Sequence, residues 1–293
     1  MSENRAPEKI QKVLARAGAG SRREIERLIE QGQVMVNGKP AELGMRIIGN
    51  ERIKVAGKPV DRRAMQPYKA RVIILNKPEG CICSRHDPEG RKTVFEFLPA
   101  IARGRWIVVG RLDFNTSGLL LFTDDGELAN ALMHPSNQID REYSVRVMGE
   151  LNPAIQRKMT EGVVLEDGPA SFEHLIDTGG TGLNHWYNVV LKEGRNREVR
   201  RIFESQEIQV SRLIRVRYGS VELPRELRQG RYRYLESNDV RQLYESVGLH
   251  FDEIVTPSKA IPKRRANQQD RQQRKPSSSN RRQSNRNKSP YKR

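Results

Sequence analysis

Apolar residues recur at helical spacing near the start of the chain. Ile10, Val13, Leu14 and Ala17 fall on one face, and Gly18 and Gly20 then end the run. Ser21 followed by Glu24 has the form of a capping box for a second helix, with Ile25, Leu28 and Ile29 as its inner face. The period then changes to two across Val34-Met35-Val36. Asn37-Gly38 marks a tight hairpin, and Val55 and Val60 flank a second turn at Gly57-Lys58. Residues 8–60 therefore read as a small unit of two helices and a little sheet. Residues 61–70, DRRAMQPYKA, read as a linker.

The pattern from 71 to 255 predicts a larger α+β domain. Residues 72–75, 106–109 and 119–122 are apolar strand runs, while Tyr143, Val145 and Val147 alternate, as do Val189 and Leu191. Asp124 with Glu127 is expected to cap a helix running through Met133. Strand follows turn without regular βαβ spacing, which predicts a mixed, mainly antiparallel sheet with flanking helices. Past residue 255 the apolar signal stops. Residues 256–293 are mostly Arg, Lys, Ser, Asn and Gln, a composition that cannot offset its ordering entropy, so a disordered basic tail is expected.

Charge changes the picture more than composition does. The 293 residues carry a formal charge of +17, and twelve of those charges come from the tail, with its thirteen Lys or Arg against Asp270. The body is still positive, which favours a polyanionic partner, because Lys and Arg release counterions from phosphates. No apolar run approaches the roughly 20 residues that cross a bilayer. The opening MSENRAPEKIQK lacks the apolar stretch of a secretory signal. Cys81 and Cys83 are the only cysteines, too close together for a disulfide framework, so a reducing, cytoplasmic setting is expected. Cys81, Cys83 and His86 are also too few and wrongly spaced for a zinc cage, so no metal is expected. His134 reads as a helix-end residue.

Four stretches hold candidate chemistry. Asp113, in Gly110-Arg111-Leu112-Asp113, lies in a short turn between two apolar strands, where a carboxylate is held rigidly yet open to a pocket. The same residue could simply form an Asx-turn. In Glu193-Gly194-Arg195-Asn196-Arg197-Glu198-Val199-Arg200-Arg201, Arg200 sits at the margin of a buried helical stripe and wants a carboxylate, for which Asp113 is a plausible partner. Arg195, Arg197 and Arg201 then remain for phosphates. Tyr143, opening a strand after Arg141-Glu142, would stack on a base or serve as a core aromatic. Lys77, in Asn76-Lys77-Pro78-Glu79-Gly80, ends a strand in a turn and could clamp a backbone.

The first unit, including SRREIERLIEQGQVMVNGK, resembles the S4 RNA-binding domain. Its outer helical positions Lys9, Lys12, Arg16, Arg22, Arg23 and Arg27 are cationic, which suits contact with RNA shape and backbone. The stretches ILNKPEG, GRLDFNTSGLLLFTDDGELA, REYSV and EGRNREVRR resemble the RsuA/RluA-type pseudouridine synthases, and the last, with the S4-like unit, resembles the RsuA branch. That resemblance implies isomerisation of uridine in ribosomal RNA without a cofactor. Asp113 would be the essential nucleophile or base, Tyr143 would stack on the uracil, and Arg200 would pair with the aspartate and keep it ionised. Lys77, Arg111, Arg195, Arg197 and Arg201 would join the S4-like arginines in holding RNA around a flipped nucleotide in a loop or bulge. Length and basic tail resemble the members acting on 23S rRNA or a large-subunit assembly intermediate. Action on 16S rRNA, or a non-catalytic assembly factor, stays open at this point. A monomer is expected, with no membrane association.

Overall fold

A computed structural model of the chain describes residues 6–251. The basic stretch 256–293 lies outside the described residues.

The small unit forms as its pattern predicts. Helices Ile10–Arg16 and Arg22–Glu30 pack through Ile10, Val13, Leu14, Ile25 and Ile29. The Ser21 hydroxyl accepts from the Glu24 N–H, and the Glu24 carboxylate accepts from the Ser21 N–H, each at 3.1 Å. Two helix-end donors are thereby satisfied reciprocally. Strands Val34–Val36, Lys39–Pro40, Ile53–Val55 and Lys58–Pro59 form a four-stranded antiparallel sheet. Asn37 and Gly38, with φ of 51° and 86°, make the left-handed pair that a two-residue hairpin needs. The second turn falls on Ala56-Gly57, one residue before the expected Gly57-Lys58.

Residues 61–70 are not a loose tether. They include the helix Arg62–Met65, whose Met65 is fully buried in the small unit's core. The two units are joined by specific contacts. Lys12 Nζ lies 2.5 Å from Glu127, Tyr68 donates to the Asp124 carbonyl, and Arg103 donates to the carbonyls of Ala64 and Gln66.

A nine-stranded sheet forms the large unit. Its order is His174–Thr181, Asn184–Leu191, Arg141–Met148, Arg212–Tyr218, Ser117–Thr123, Val72–Lys77 and Tyr232–Tyr234. Ile107–Val109 pairs with Ser117–Thr123, and Val221–Glu222 with Arg212–Tyr218. Every pairing is antiparallel except Arg212–Tyr218 with Ser117–Thr123, which is parallel through Ile214 opposite Ser117 and Arg215 opposite Gly118. One face carries Leu120, Phe122, Val145, Tyr187 and Val189 against Phe172, Val199, Ile202 and Phe203. The other carries Val72, Ile74, Leu119 and Leu121 against helices Gly126–Met133 and Ser237–Ser246. Ser117–Thr123 is buried on both faces, which explains its unbroken rather than alternating apolar run.

The expected cap at Asp124 is displaced by one residue. Asp125 caps Gly126–Met133, accepting from the Glu127 N–H at 2.7 Å. Asp124 is instead buried against Arg71, whose Nε and backbone N–H donate to it at 2.7 and 2.8 Å.

Candidate active site

The loop 110–116 leaves strand Ile107–Val109 and returns into Ser117–Thr123. Three side chains hold its backbone. Lys77, fully buried, donates from Nζ to the carbonyls of Asp113 at 3.0 Å, Thr116 at 2.8 Å and Pro78 at 3.1 Å. Burial pulls its pKa below the ordinary lysine value, while the Cys81, Cys83 and Asp113 charges act the other way. Cys83 donates from Sγ to the Leu112 carbonyl and accepts from the Leu112 N–H. Arg200, 6% exposed, donates to the Asn115 and Val210 carbonyls, each at 2.8 Å. With the backbone held in this way, the half-buried Asp113 carboxylate makes no hydrogen bond or ion pair among the described residues. It stands at the wall of a cavity of about 590 Å³, shared with Arg111, Thr116, Tyr143, Leu213 and Arg215. That volume lies within the roughly 300–1,000 Å³ of ligand pockets.

Several expectations need correction here. Arg200 forms no ion pair with Asp113. Its two terminal nitrogens donate to carbonyls, and burial lowers its pKa, with the Arg197 charge adding to the effect and Asp113 opposing it. Arg200 is close enough to feel the carboxylate, and it acts on the loop's backbone. Lys77 clamps the protein's own backbone, and complete burial removes it from any RNA surface. Arg195, Arg197 and Arg201 are not unpaired cations. Arg201 makes a two-pronged pair with Asp167 at 2.8 Å, Arg195 binds Glu198 and Asp167, and Arg197 binds Glu204. Asp167, shared by Arg195 and Arg201, comes from the neighbouring hairpin, which spacing along the chain does not reveal; Glu198 and Glu204 lie on the helix Glu198–Glu204 itself. Arg195 and Arg197 still line the cavity, whereas Arg201 does not. Arg16 is likewise engaged, in a double contact with Glu8 and a bond to the Met65 carbonyl. Exposed Arg22, Arg23, Arg27 and Arg111 make no ion pair among the described residues.

Tyr143 lies in the core, 8% exposed, and also lines the cavity. Two site residues escaped the sequence reading. Cys83 carries no sequence signal for its role as a backbone clamp on Leu112. Arg215 sits on a strand, directly opposite Tyr143. Its one signal is a charge in the inward phase set by Leu213.

Against this geometry, the comparisons are specific. Residues 71–205 match the family model described as RNA pseudouridylate synthase, and residues 8–53 match the S4 domain. Over 244 residues the chain is 55% identical to ribosomal large subunit pseudouridine synthase B of Escherichia coli O6:H1, covering 83% of this chain and 84% of that protein. The chain belongs to the RNA pseudouridine synthase family. The protein of the same name from Pasteurella multocida is 52% identical over 261 residues, covering 88% of this chain and 76% of its own. A crystal structure of a pseudouridylate synthase superposes with a TM-score of 0.56 at 26% identity, covering 80% of this chain and 99% of that one. This pseudouridine synthase is therefore an isomerase of the RsuA branch, with an S4 domain ahead of its catalytic sheet.

Proposed function

We propose that this synthase isomerises one uridine of 23S ribosomal RNA, in a cytoplasmic large-subunit precursor, with Asp113 as its essential carboxylate. Residues 8–60 serve as the RNA-gripping unit and 71–255 as the catalytic domain. One observation carries the reading: an ionisable carboxylate without a protein partner, on a backbone pinned by Lys77, Cys83 and Arg200, stands at a nucleotide-sized cavity beside Tyr143. The names of the close relatives support the large-subunit assignment.

Such a site can hold a uridine swung out of its stack. Unstacking costs a few kcal/mol and is least in a loop or bulge. Asp113 would act at the ribose side while the C1′–N1 bond breaks. The uracil, held against Tyr143, turns and rejoins C1′ through C5; the C5 proton leaves and N1, freed from the sugar, takes up a proton. The starting and final RNA have the same mass, and no electron acceptor or group donor enters the balance. A single carboxylate thereby does what glycosidases usually divide between two. Exposed Arg22, Arg23, Arg27 and Arg111 are the cations placed to hold flanking phosphates.

Asp113→Asn keeps the side chain's shape and removes its charge. Pseudouridine formation should vanish, with RNA affinity changed by less than about threefold. Turnover by the Asn variant at the wild-type rate would refute the assignment. Mapping pseudouridine across the rRNA of cells lacking the protein should show one lost site in 23S; a site lost from 16S would overturn the subunit assignment.

A further inference from the structure

Arg215 is 1% exposed and lines the cavity with Asp113 and Tyr143. Its Nε donates to the Leu119 carbonyl at 2.8 Å, tying together the two strands that pair in parallel. Its guanidinium carbon lies 5.1 Å from the Tyr218 ring centre. Its Nη2 is buried with no hydrogen-bond partner, and no carboxylate pairs with it among the described residues. Taking a cation out of water without a counter-charge is costly, and one carbonyl and one ring face compensate only part of that cost. A structural tie between strands would need a single N–H, which a neutral side chain can supply. Buried Lys77 places its ammonium on three carbonyls, and Arg200 places two of its nitrogens on carbonyls, whereas Arg215 has one carbonyl for its whole guanidinium.

The backbone around Arg215 is also specialised. A Cβ on Gly118, where φ is +102°, would lie 2.3 Å from the Arg215 carbonyl oxygen. Only glycine allows the strand carrying Arg215 to approach the end of the Asp113 loop so closely.

We infer that Arg215 is an electrostatic residue of the reaction, a fixed positive charge behind the cavity wall that stabilises the uracil anion between bond cleavage and rejoining. This rests on the proposed role of the Asp113 cavity. When C1′–N1 breaks, the bonding pair stays with the pyrimidine and spreads over N1, O2 and O4. It is returned when C5 bonds to C1′, the electrophilic carbon left by the cleavage; the C5 proton then goes to solvent and N1 takes up a proton from solvent, so the product is an isomer of the substrate. A charge oriented in advance in a low-dielectric wall needs no reorganisation as that anion forms. The Asp113 carboxylate, placed for the sugar, has the wrong sign for this task.

The test compares Arg215→Met and Arg215→Lys in the full-length protein under single turnover. A rRNA fragment carrying the target uridine is the substrate, with RNA affinity and thermal unfolding measured in parallel. Arg215→Met should slow isomerisation by about 10²–10³-fold. RNA affinity should stay within about threefold, and the unfolding midpoint should hold or rise, because an unpaired buried charge has been removed. Arg215→Lys should recover at least about tenfold of the lost rate. A Met variant within about threefold of the wild-type rate overturns the inference. So does a Met variant that unfolds at lower temperature, accompanied by a Lys variant that is equally slow. A wild-type protein that forms no pseudouridine, or an Asp113→Asn variant that does, would instead refute the site on which the inference stands.

Discussion

A carboxylate is useful at a reaction centre only when its position is decided by something other than itself. Around Asp113 that work falls to Lys77, whose ammonium holds the Asp113 and Thr116 carbonyls from beneath. Lys77→Met would fill similar volume and leave three carbonyl oxygens without their donor, each at about 1–3 kcal/mol. We expect a lower unfolding free energy in urea and a kcat reduced far more than KM is raised. An unchanged kcat would show that the loop holds its shape unaided. This scale also marks the boundary of what the sequence made legible. Asp113 and Tyr143 were readable because their motifs are short and contiguous. The partners of Arg200 and Arg201 were not, because Asp167 and the carbonyls of Asn115 and Val210 are brought near only by folding. Arg215 has only the phase it shares with Leu213 to mark it, and that phase meets a cavity only once the strands pair.

Among the elements, those with local rules were legible and those set by distant pairing were not. The Ser21–Glu24 box and the Asn37-Gly38 hairpin depend on residues within a few positions and form as written. The cap at Asp125 rather than Asp124 follows from a distant demand: Arg71 claims the first carboxylate, so the second is left for the helix. The strand Glu8–Lys9 and helix Ile10–Arg16 show how charge can staple an element end. Burial works against the Glu8 carboxyl, but hydrogen bonds from Arg16 and Lys12 hold its pKa at about 2, below the ordinary 4.5. A carboxyl lowered in this way adds stability above pH 4.5, and that share is lost as the pH falls through about 2. Glu8→Gln should therefore weaken the small unit by about 1–2 kcal/mol at pH 7, with allowance for partial exposure. The gap from wild type should close between pH 4.5 and 2, as followed by hydrogen exchange of the Ile10–Arg16 amides. A gap that stayed constant over that range would rule out the ion cluster as its source.

For the molecule as a whole, charge and connectivity matter most. The stretch 256–293 carries twelve of the seventeen net positive charges. Phosphate contacts made by such charges release counterions, so each contact steepens the fall of affinity with salt. Removing 256–293 should weaken RNA binding and flatten the slope of log K against log salt, while isomerisation of bound RNA continues. An identical slope in the truncated protein would exclude the tail from the interface. The mixed sheet was foreseeable from strand–turn–strand runs, but not its one parallel seam, since such pairing leaves no mark on either segment. That seam has a bearing on how the enzyme comes into being. It joins the half that carries Asp113 and Lys77 to the half that carries Tyr143, Arg200 and Arg215. A nascent chain that has emerged only as far as Thr123 carries Asp113 but lacks the strands that bring Tyr143 and Arg215 to its cavity. The cavity is complete only when the segment near residue 215 lies beside Gly118, so on the proposed mechanism a half-made chain has no chamber in which to hold a nucleotide.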